Sequence, residues 1–403
     1  MTLRQDNSSR RSGWPVIVAY ALVCAATQML WLTYAAITTE TARRYGVSVT
    51  AVGWLAEIFP LLYVALAIPG GILLDRWFRP SLAAGGALVA LGGLVRLGGE
   101  TFAWAIAGQA LVAIAQPVVL SAVGKLAGEY LPAAQRADGI SLGSAGNFVG
   151  MLVALLLGPT LGGHGELERL LVVQAAIALL AAVALAAVLR RPGRHSDEHA
   201  AIEGNAARAL WRMRPMRTQC GLVFLGFGIF VALATWLQTL LHPSHVSETT
   251  AGVLLVGMMV AGIAGCAVLP PWLARRRAER GFMRTAVLIG CLGCVTLGVT
   301  PWIGTRALAL AAIGVVLLPA LPVILTAAEQ LAGAAAGTAG AIVWMAGNLG
   351  GLVVALLVQV LVHHPLPAFL AMAGVSLLGL PLAARLRSPA VLGRAEPAAA
   401  SVG

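Results

Sequence analysis

The chain has 403 residues, 59% of them hydrophobic and 11% charged, with a mean hydropathy of +0.87. An ordinary soluble domain is about 25% charged, so these charges are too few to cover a soluble surface, which argues against a soluble enzyme, a disordered chain and a nucleic-acid binder. The net charge is +11, and Lys125 is the single lysine among 27 basic residues, the rest being arginine.

Twelve apolar runs follow one another, each long enough to cross a bilayer as a helix of about 20 residues. They cover residues 14–38, 50–74, 80–98, 102–129, 136–161, 168–190, 217–241, 250–274, 283–301, 306–331, 334–362 and 365–386. The first is too long for a cleavable signal peptide. The fold class expected is an all-α membrane protein, with twelve transmembrane helices in two pseudo-symmetric six-helix bundles. The first bundle falls in residues 1–190. A cytoplasmic linker with a short surface helix near Ala206–Met213 falls in 191–217, and the second bundle and tail in 218–403.

Placing the N-terminus in the cytoplasm puts 22 of the 27 basic residues on that side and leaves Arg43, Arg44, Arg96, Arg169 and Arg306 outside. Positive charge concentrates on the cytoplasmic face of membrane proteins. Both termini are therefore expected there, in a cytoplasmic (inner) membrane. The basic residues then serve the lipid bilayer, and no nucleic-acid partner is implied.

The two halves repeat. Ala145-Gly146-Asn147-x-x-Gly150 with Val153-Ala154-Leu155-Leu156 recurs as Ala346-Gly347-Asn348-x-x-Gly351 with Val354-Ala355-Leu356-Leu357. Pro117-Val118-x-Leu120-x-Ala122 recurs as Pro322-Val323-x-Leu325-x-Ala327, and Trp31-Leu32 as Trp236-Leu237. Parallel repeats of six helices are the build of a rocking-bundle transporter, with its site at the midplane where the halves meet.

Gly71-x-x-x-Asp75-Arg76-x-x-Arg79 closes the second run. Gly71 allows close helix approach. Asp75 is expected at the N-terminus of helix 11, where a carboxylate neutralises the positive dipole end. Arg76 and Arg79 are expected to reach Glu129. Such a cluster gates one side. The second half has Arg275-Arg276-Arg277 at the matching place and lacks the acid. Gly158-Pro159-x-x-Gly162-Gly163 ends the fifth run, where proline and glycine allow a bend. Gly146/Gly150 and Gly347/Gly351 are read as packing faces first.

Polar and aromatic residues inside spans are candidate site residues by default. Gln28, Trp31 and Tyr34 share one face of helix 1 by three-residue spacing. Gln109 and Gln116 stack along helix 4, and Trp344 and Asn348 along helix 11. Asn147 and Trp236 complete the substrate-binding set. Trp and Tyr suit a flat or cationic organic solute. Glu57 is the candidate proton carrier. Glu329 is read as that or as a structural partner of Lys125. No catalytic group, cofactor or metal site is expected. Cys291-x-x-Cys294 lies inside an apolar run and reads as two small core residues, and all seven histidines fall in loops or at span edges.

The Gly71–Arg79 segment resembles the loop 2–3 signature of the major facilitator superfamily, G-x-x-x-D-R-x-G-R, with Phe78 in place of the last glycine. Gly158-Pro159-x-x-Gly162-Gly163 is similar to that superfamily's antiporter motif. A narrower resemblance covers roughly residues 28–160. Trp31-x-x-Tyr34, Tyr45-Gly46-Val47-Ser48, Trp54-Leu55, Tyr63, Pro69 and Leu74-Asp75-Arg76 resemble the FLVCR-type heme/choline transporters. So do Ala115-Gln116-Pro117, Lys125-Leu126-Ala127 and Gly146-Asn147. The resemblance implies that Trp31 lies in the substrate cavity and stacks on a quaternary ammonium. That family reads G-N-Q where this chain has Gly146-Asn147-Phe148, which departs from choline or heme in detail and keeps an organic cation open.

The expected function is alternating-access transport of a small organic solute, with an organic cation one candidate and protons a candidate coupled ion, by a monomer. The alternatives are a proton-coupled drug or metabolite exporter and, more distantly, a membrane-embedded enzyme.

Overall fold

Large aliphatic side chains occur on the outer surface as well as inside, and small and polar residues share the interior with them. In the helix Leu167–Leu189, Leu180 is 70% exposed while Ala178 is 1% exposed, and Gln174, Ala175, Ala181 and Ala182 are buried beside it. Lipid solvates leucine as well as a protein core does, so close packing of small residues holds such helices together.

The structure is a computed structural model that describes residues 13–162, 166–193 and 206–386. Among these, twelve long helices occur: α1 (Trp14–Leu32), α2 (Val49–Arg76), α3 (Phe78–Val95), α4 (Phe102–Ser121), α5 (Arg136–Gly162), α6 (Leu167–Leu189), α7 (Arg214–Leu241), α8 (Glu248–Arg276), α9 (Glu279–Val299), α10 (Ile303–Ala332), α11 (Ala336–Val360) and α12 (Pro365–Leu377). Helix α4 continues beyond Ala122 as Val123–Tyr130, and α12 beyond Leu378 as Gly379–Arg385. A 3₁₀ turn, Gly333–Ala335, separates α10 from α11. The expected all-α membrane fold is borne out. A short helix, Ala206–Arg212, occupies the end of the expected linker, whose residues 194–205, with His195 and His199, lie outside the described residues.

The described residues form two compact units. One runs to Ala207 and also holds Ala332–Met345; the other holds Arg208–Leu331 and the chain from Ala346 on. The first ten residues of α11 thus belong with the first unit.

Within the first unit, α1 packs on α5, α4 on α2 and α3, and α6 on α1 and α3. The α1–α5 contact depends on absent side chains: a Cβ at Gly146 would come 2.4 Å from the Ala21 carbonyl oxygen, and one at Gly150 2.1 Å from that of Ala25. In the second unit the closest approach of α11 to α7 is at Gly350, where a Cβ would come 2.0 Å from the Phe224 carbonyl oxygen, with Gly347 and Gly351 on flanking side chains. These glycines therefore pack helices, as their spacing suggested. Gly158 and Gly162 do the same for the turn Ala35–Ile37, where added Cβ atoms would lie 2.7 Å from Ala36 Cβ and 2.8 Å from Ile37 Cδ1.

Candidate functional site

Two glycines bring the end of α2 against the start of α11. A Cβ at Gly71 would lie 2.8 Å from Thr338 Cα, and one at Gly337 2.7 Å from Asp75 Oδ1. The approach lets the buried Asp75 carboxylate accept the backbone N–H of Gly337 at Oδ1 and of Thr338 at Oδ2, both at 2.8 Å. These amides belong to the first turn of α11, whose N–H groups have no helical acceptor and carry the positive end of the dipole. Lys125 closes the cluster. Its Nζ donates to the Asp75 carbonyl at 2.8 Å, sits 3.6 Å from Oδ1 and faces the Phe78 ring. Asp75 thus stands where its spacing placed it. Lys125, read above as a partner of Glu329, bonds to Asp75. Arg76 is exposed, with its guanidinium over the Trp77 ring, whereas Arg79 contributes its charge to the buried Glu129, as Lys125 does.

At the opposite ends of α2 and α3 a second cluster forms around Arg96. Counted above among the loop charges, it is 1% exposed. Its Nη2 donates to the Leu30 carbonyl at 2.8 Å and to Gln109 Oε1, its Nη1 to Thr33 Oγ1 at 3.3 Å, and its guanidinium lies over the Tyr34 ring. A cation at the C-terminal carbonyls of α1 is where the helix dipole favours one. Gln109 Nε2 in turn donates to the carbonyls of Leu55 and Trp31, tying α1, α2 and α4 together. Gln109 is therefore held by protein groups. Arg96 was hidden in the sequence because a single arginine beside Gly-rich sequence at a run's end reads as a loop charge.

The expected face of α1 extends only partly. Gln28 and Trp31 lie on α1, but the helix ends at Leu32, and Tyr34 packs among Ile37, Val52, Leu55 and Leu170. The Trp31 indole N–H donates to the Ala56 carbonyl at 2.9 Å, and the half-buried ring lies 6.1 Å from that of Phe59.

In the first unit three buried amides have oxygens without a hydrogen-bond partner, Gln28 Oε1, Gln116 Oε1 and Asn147 Oδ1; Gln219 Oε1, in the second unit, is a fourth. Register places the first three near one another. Tyr20 bonds to Val119 and Trp31 to Gln109, so α4 descends as α1 ascends and Gln116 stands level with Cys24. Gly146 meets Ala21, so Asn147 is level with about the next residue of α1. All three therefore lie within about two helical turns along α1. Buried acceptors without donors are rare enough to point to a missing partner. Next to this level, Tyr63 and Ser121 share a hydrogen bond of 3.0 Å, and the Tyr63 ring lies 6.5 Å from that of Trp344. Neither Tyr63 nor Ser121 was among the candidate site residues; Tyr63 entered the sequence reading only through the family resemblance.

Trp236 donates its indole N–H to the Ala355 carbonyl at 3.0 Å, and Asn348 is half-buried, both in the second unit, as is the buried Glu329. Glu57 is exposed on α2. No disulfide joins the five cysteines.

The family model of the Major Facilitator Superfamily matches residues 16–355. "Solute carrier family 49 member A3" of Danio rerio is 31% identical over 306 residues, covering 72% of this chain and 65% of that protein. The human "Choline/ethanolamine transporter FLVCR2" is 23% identical over 311 residues, covering 71% of this chain and 59% of that protein. The chain thus spans about three fifths of the length of these curated relatives, and the FLVCR-type resemblance is borne out. Among solved structures, the human organic anion transporter MFSD10 aligns with a TM-score of 0.74 at 17% identity, covering 94% of this chain and 100% of that one. The E. coli fucose:proton symporter FucP aligns with a TM-score of 0.72 at 18% identity, covering 94% and 99%. The chain is a multi-pass membrane protein that belongs to the Major Facilitator Superfamily.

Proposed function

We propose that the chain is an alternating-access transporter of a small organic cation. The observation that carries this reading is the trio of buried amide oxygens of Gln28, Gln116 and Asn147, close along α1 to the aromatic rings of Trp31, Tyr63 and Trp344. Carbonyl oxygens and ring faces are what a desolvated ammonium group needs, and a fixed quaternary cation needs no carboxylate. The relative named as a choline/ethanolamine transporter supports that class. Trp236 and Asn348 are retained as candidate binding residues of the second unit.

The Asp75 cap of α11 acts in this reading as a gate. Holding a helix start by a carboxylate favours the state with that side shut, and the cap is released when it opens. Arg79 and Glu129 belong to the same gate, and Arg76 flanks it. The arginine distribution supports a cytoplasmic side for this gate, both termini and the linker, in an inner membrane, and the protein is taken to act as a monomer.

A second reading, a proton-coupled exporter, draws on Pro159 in the last turn of α5 and on Glu57 as the proton carrier. A thermal-shift series on purified protein separates them. Choline and ethanolamine should raise the melting temperature of the wild type but not of Trp31→Ala, and lipophilic drug cations should do so less. A shift from drugs alone favours the exporter.

A further inference from the structure

We infer that the junction of α8 and α9 is a binding site for an acidic phospholipid, with the head group at the turn and the acyl chains along both helices. The inference concerns a part of the chain that the transport reading does not use.

The exposed face of α8 runs by four-residue steps through Val260, Ala264, Val268, Trp272 and Arg276. Val268 is 64% and Trp272 45% exposed, and the Arg276 guanidinium lies over the Trp272 ring, 4.7 Å from its centroid. The exposed face of α9 begins at Arg284 and continues through Leu288 and Leu292, the latter 67% exposed. Each helix therefore offers lipid an apolar stripe that ends in an arginine. The two stripes meet at a two-residue turn, because α8 ends at Arg276 and α9 starts at Glu279.

The turn itself adds charge. Arg277 adopts φ 54°, the left-handed conformation in which helices usually end on glycine, and its N–H returns to the Leu273 carbonyl. Arg280 is exposed one turn before Arg284. Among the described residues none of Arg277, Arg280 and Arg284 has a carboxylate partner. The one acid in the segment, Glu279, has a buried Oε2. Four guanidinium groups thus face outward around one turn, with no carboxylate partner among the described residues.

Guanidinium recognises phosphate through paired hydrogen bonds, and basic clusters beside membrane helices attract anionic head groups. Free phosphate would account for the arginines alone. The apolar stripes leading to Arg276 and Arg284, with tryptophan at the boundary where its amphipathic ring settles, account for a lipid. A soluble anion has no use for them.

The test is native mass spectrometry of the full chain in detergent, titrated with phosphatidylglycerol or with phosphatidylcholine of the same acyl chains. Wild-type protein should retain phosphatidylglycerol in preference. The variant Arg276→Gln/Arg284→Gln should lose roughly tenfold or more of that retention, at about fivefold for each charge near the head group. The variant Arg43→Gln/Arg44→Gln, equal in charge removed, should retain it as the wild type does. Excess glycerol phosphate should not displace the lipid. Equal retention of phosphatidylcholine, full retention by the first variant, equal loss in the second, or displacement by glycerol phosphate each overturns the assignment. None of these readouts depends on transport, so failure here leaves the proposed function standing, and the reverse.

Discussion

The carbonyl of Ala56 accepts the indole N–H of Trp31 at 2.9 Å, and Pro60, four residues further along α2, has no N–H to give it. Trp31 therefore repairs a helix that its neighbour's proline breaks, and its ring is held in a fixed pose before any ligand arrives. A bond of this kind contributes about 1 kcal/mol. Trp31→Phe should cost about that in stability. In a Pro60→Ala background, where a new backbone N–H fills the carbonyl, the same substitution should cost much less. Denaturant unfolding of the four proteins of the cycle gives the coupling, and an equal cost in both backgrounds would show that the hydrogen bond is not what anchors the ring.

The cap on α11 rests on two glycines. Gly71→Ala and Gly337→Ala should each destabilise by about 1–3 kcal/mol, because the new Cβ meets backbone or the carboxylate itself. Gly252→Ala has nothing within 4 Å of its new Cβ and should be neutral or slightly stabilising, by helix propensity. Melting temperatures in detergent check the ranking, which fails if all three behave alike.

Arg96 holds α1 through buried hydrogen bonds, whereas Arg43 pairs with Glu40 at an exposed position. Arg96→Met leaves the oxygens of Gln109 and Leu30 without this donor and should cost about 2–3 kcal/mol. Arg43→Met should cost less than about 1 kcal/mol. Unfolding curves that show equal losses would return Arg96 to the loop charges.

How far the sequence could be read depended on the range of the forces involved. Hydrophobic runs and small-residue spacing are local, so the helices and the Gly146–Gly150 face were legible. Asp75 was legible because a carboxylate at a helix end next to Gly71 has few uses in a membrane. Tyr34 was placed on the face of Gln28 and Trp31 by periodicity; it follows the end of α1 with helical dihedrals, and its ring packs with Val52, Leu55 and Leu170 beneath the Arg96 guanidinium, a long-range setting that spacing does not announce. Arg96 and Gln109 were not paired in advance, because their bond joins two helices and nothing local to either announces it. The partner of Lys125 was missed for the same reason: Glu329 matched by repeat, Asp75 by folding.

Glu57→Gln separates coupled from uncoupled transport. If Glu57 carries a proton, the variant should lose accumulation driven by a pH gradient in proteoliposomes and keep exchange of internal for external solute. Accumulation equal to that of wild type would leave the protein a facilitator or coupled elsewhere.

In the proposed function the chain moves an organic cation and the Asp75 cap on α11 gates the movement. Counterflow of radiolabelled choline into proteoliposomes loaded with unlabelled choline tests it, with wild type and Asp75→Asn side by side. The variant keeps the size of the side chain and loses its charge, so it should exchange roughly tenfold more slowly while the half-saturating concentration stays near that of wild type, because the gate lies away from the amide oxygens. Saturable wild-type exchange with that pattern is the predicted result. No saturable exchange by the wild type, or an Asp75→Asn rate equal to the wild-type rate, would contradict the account.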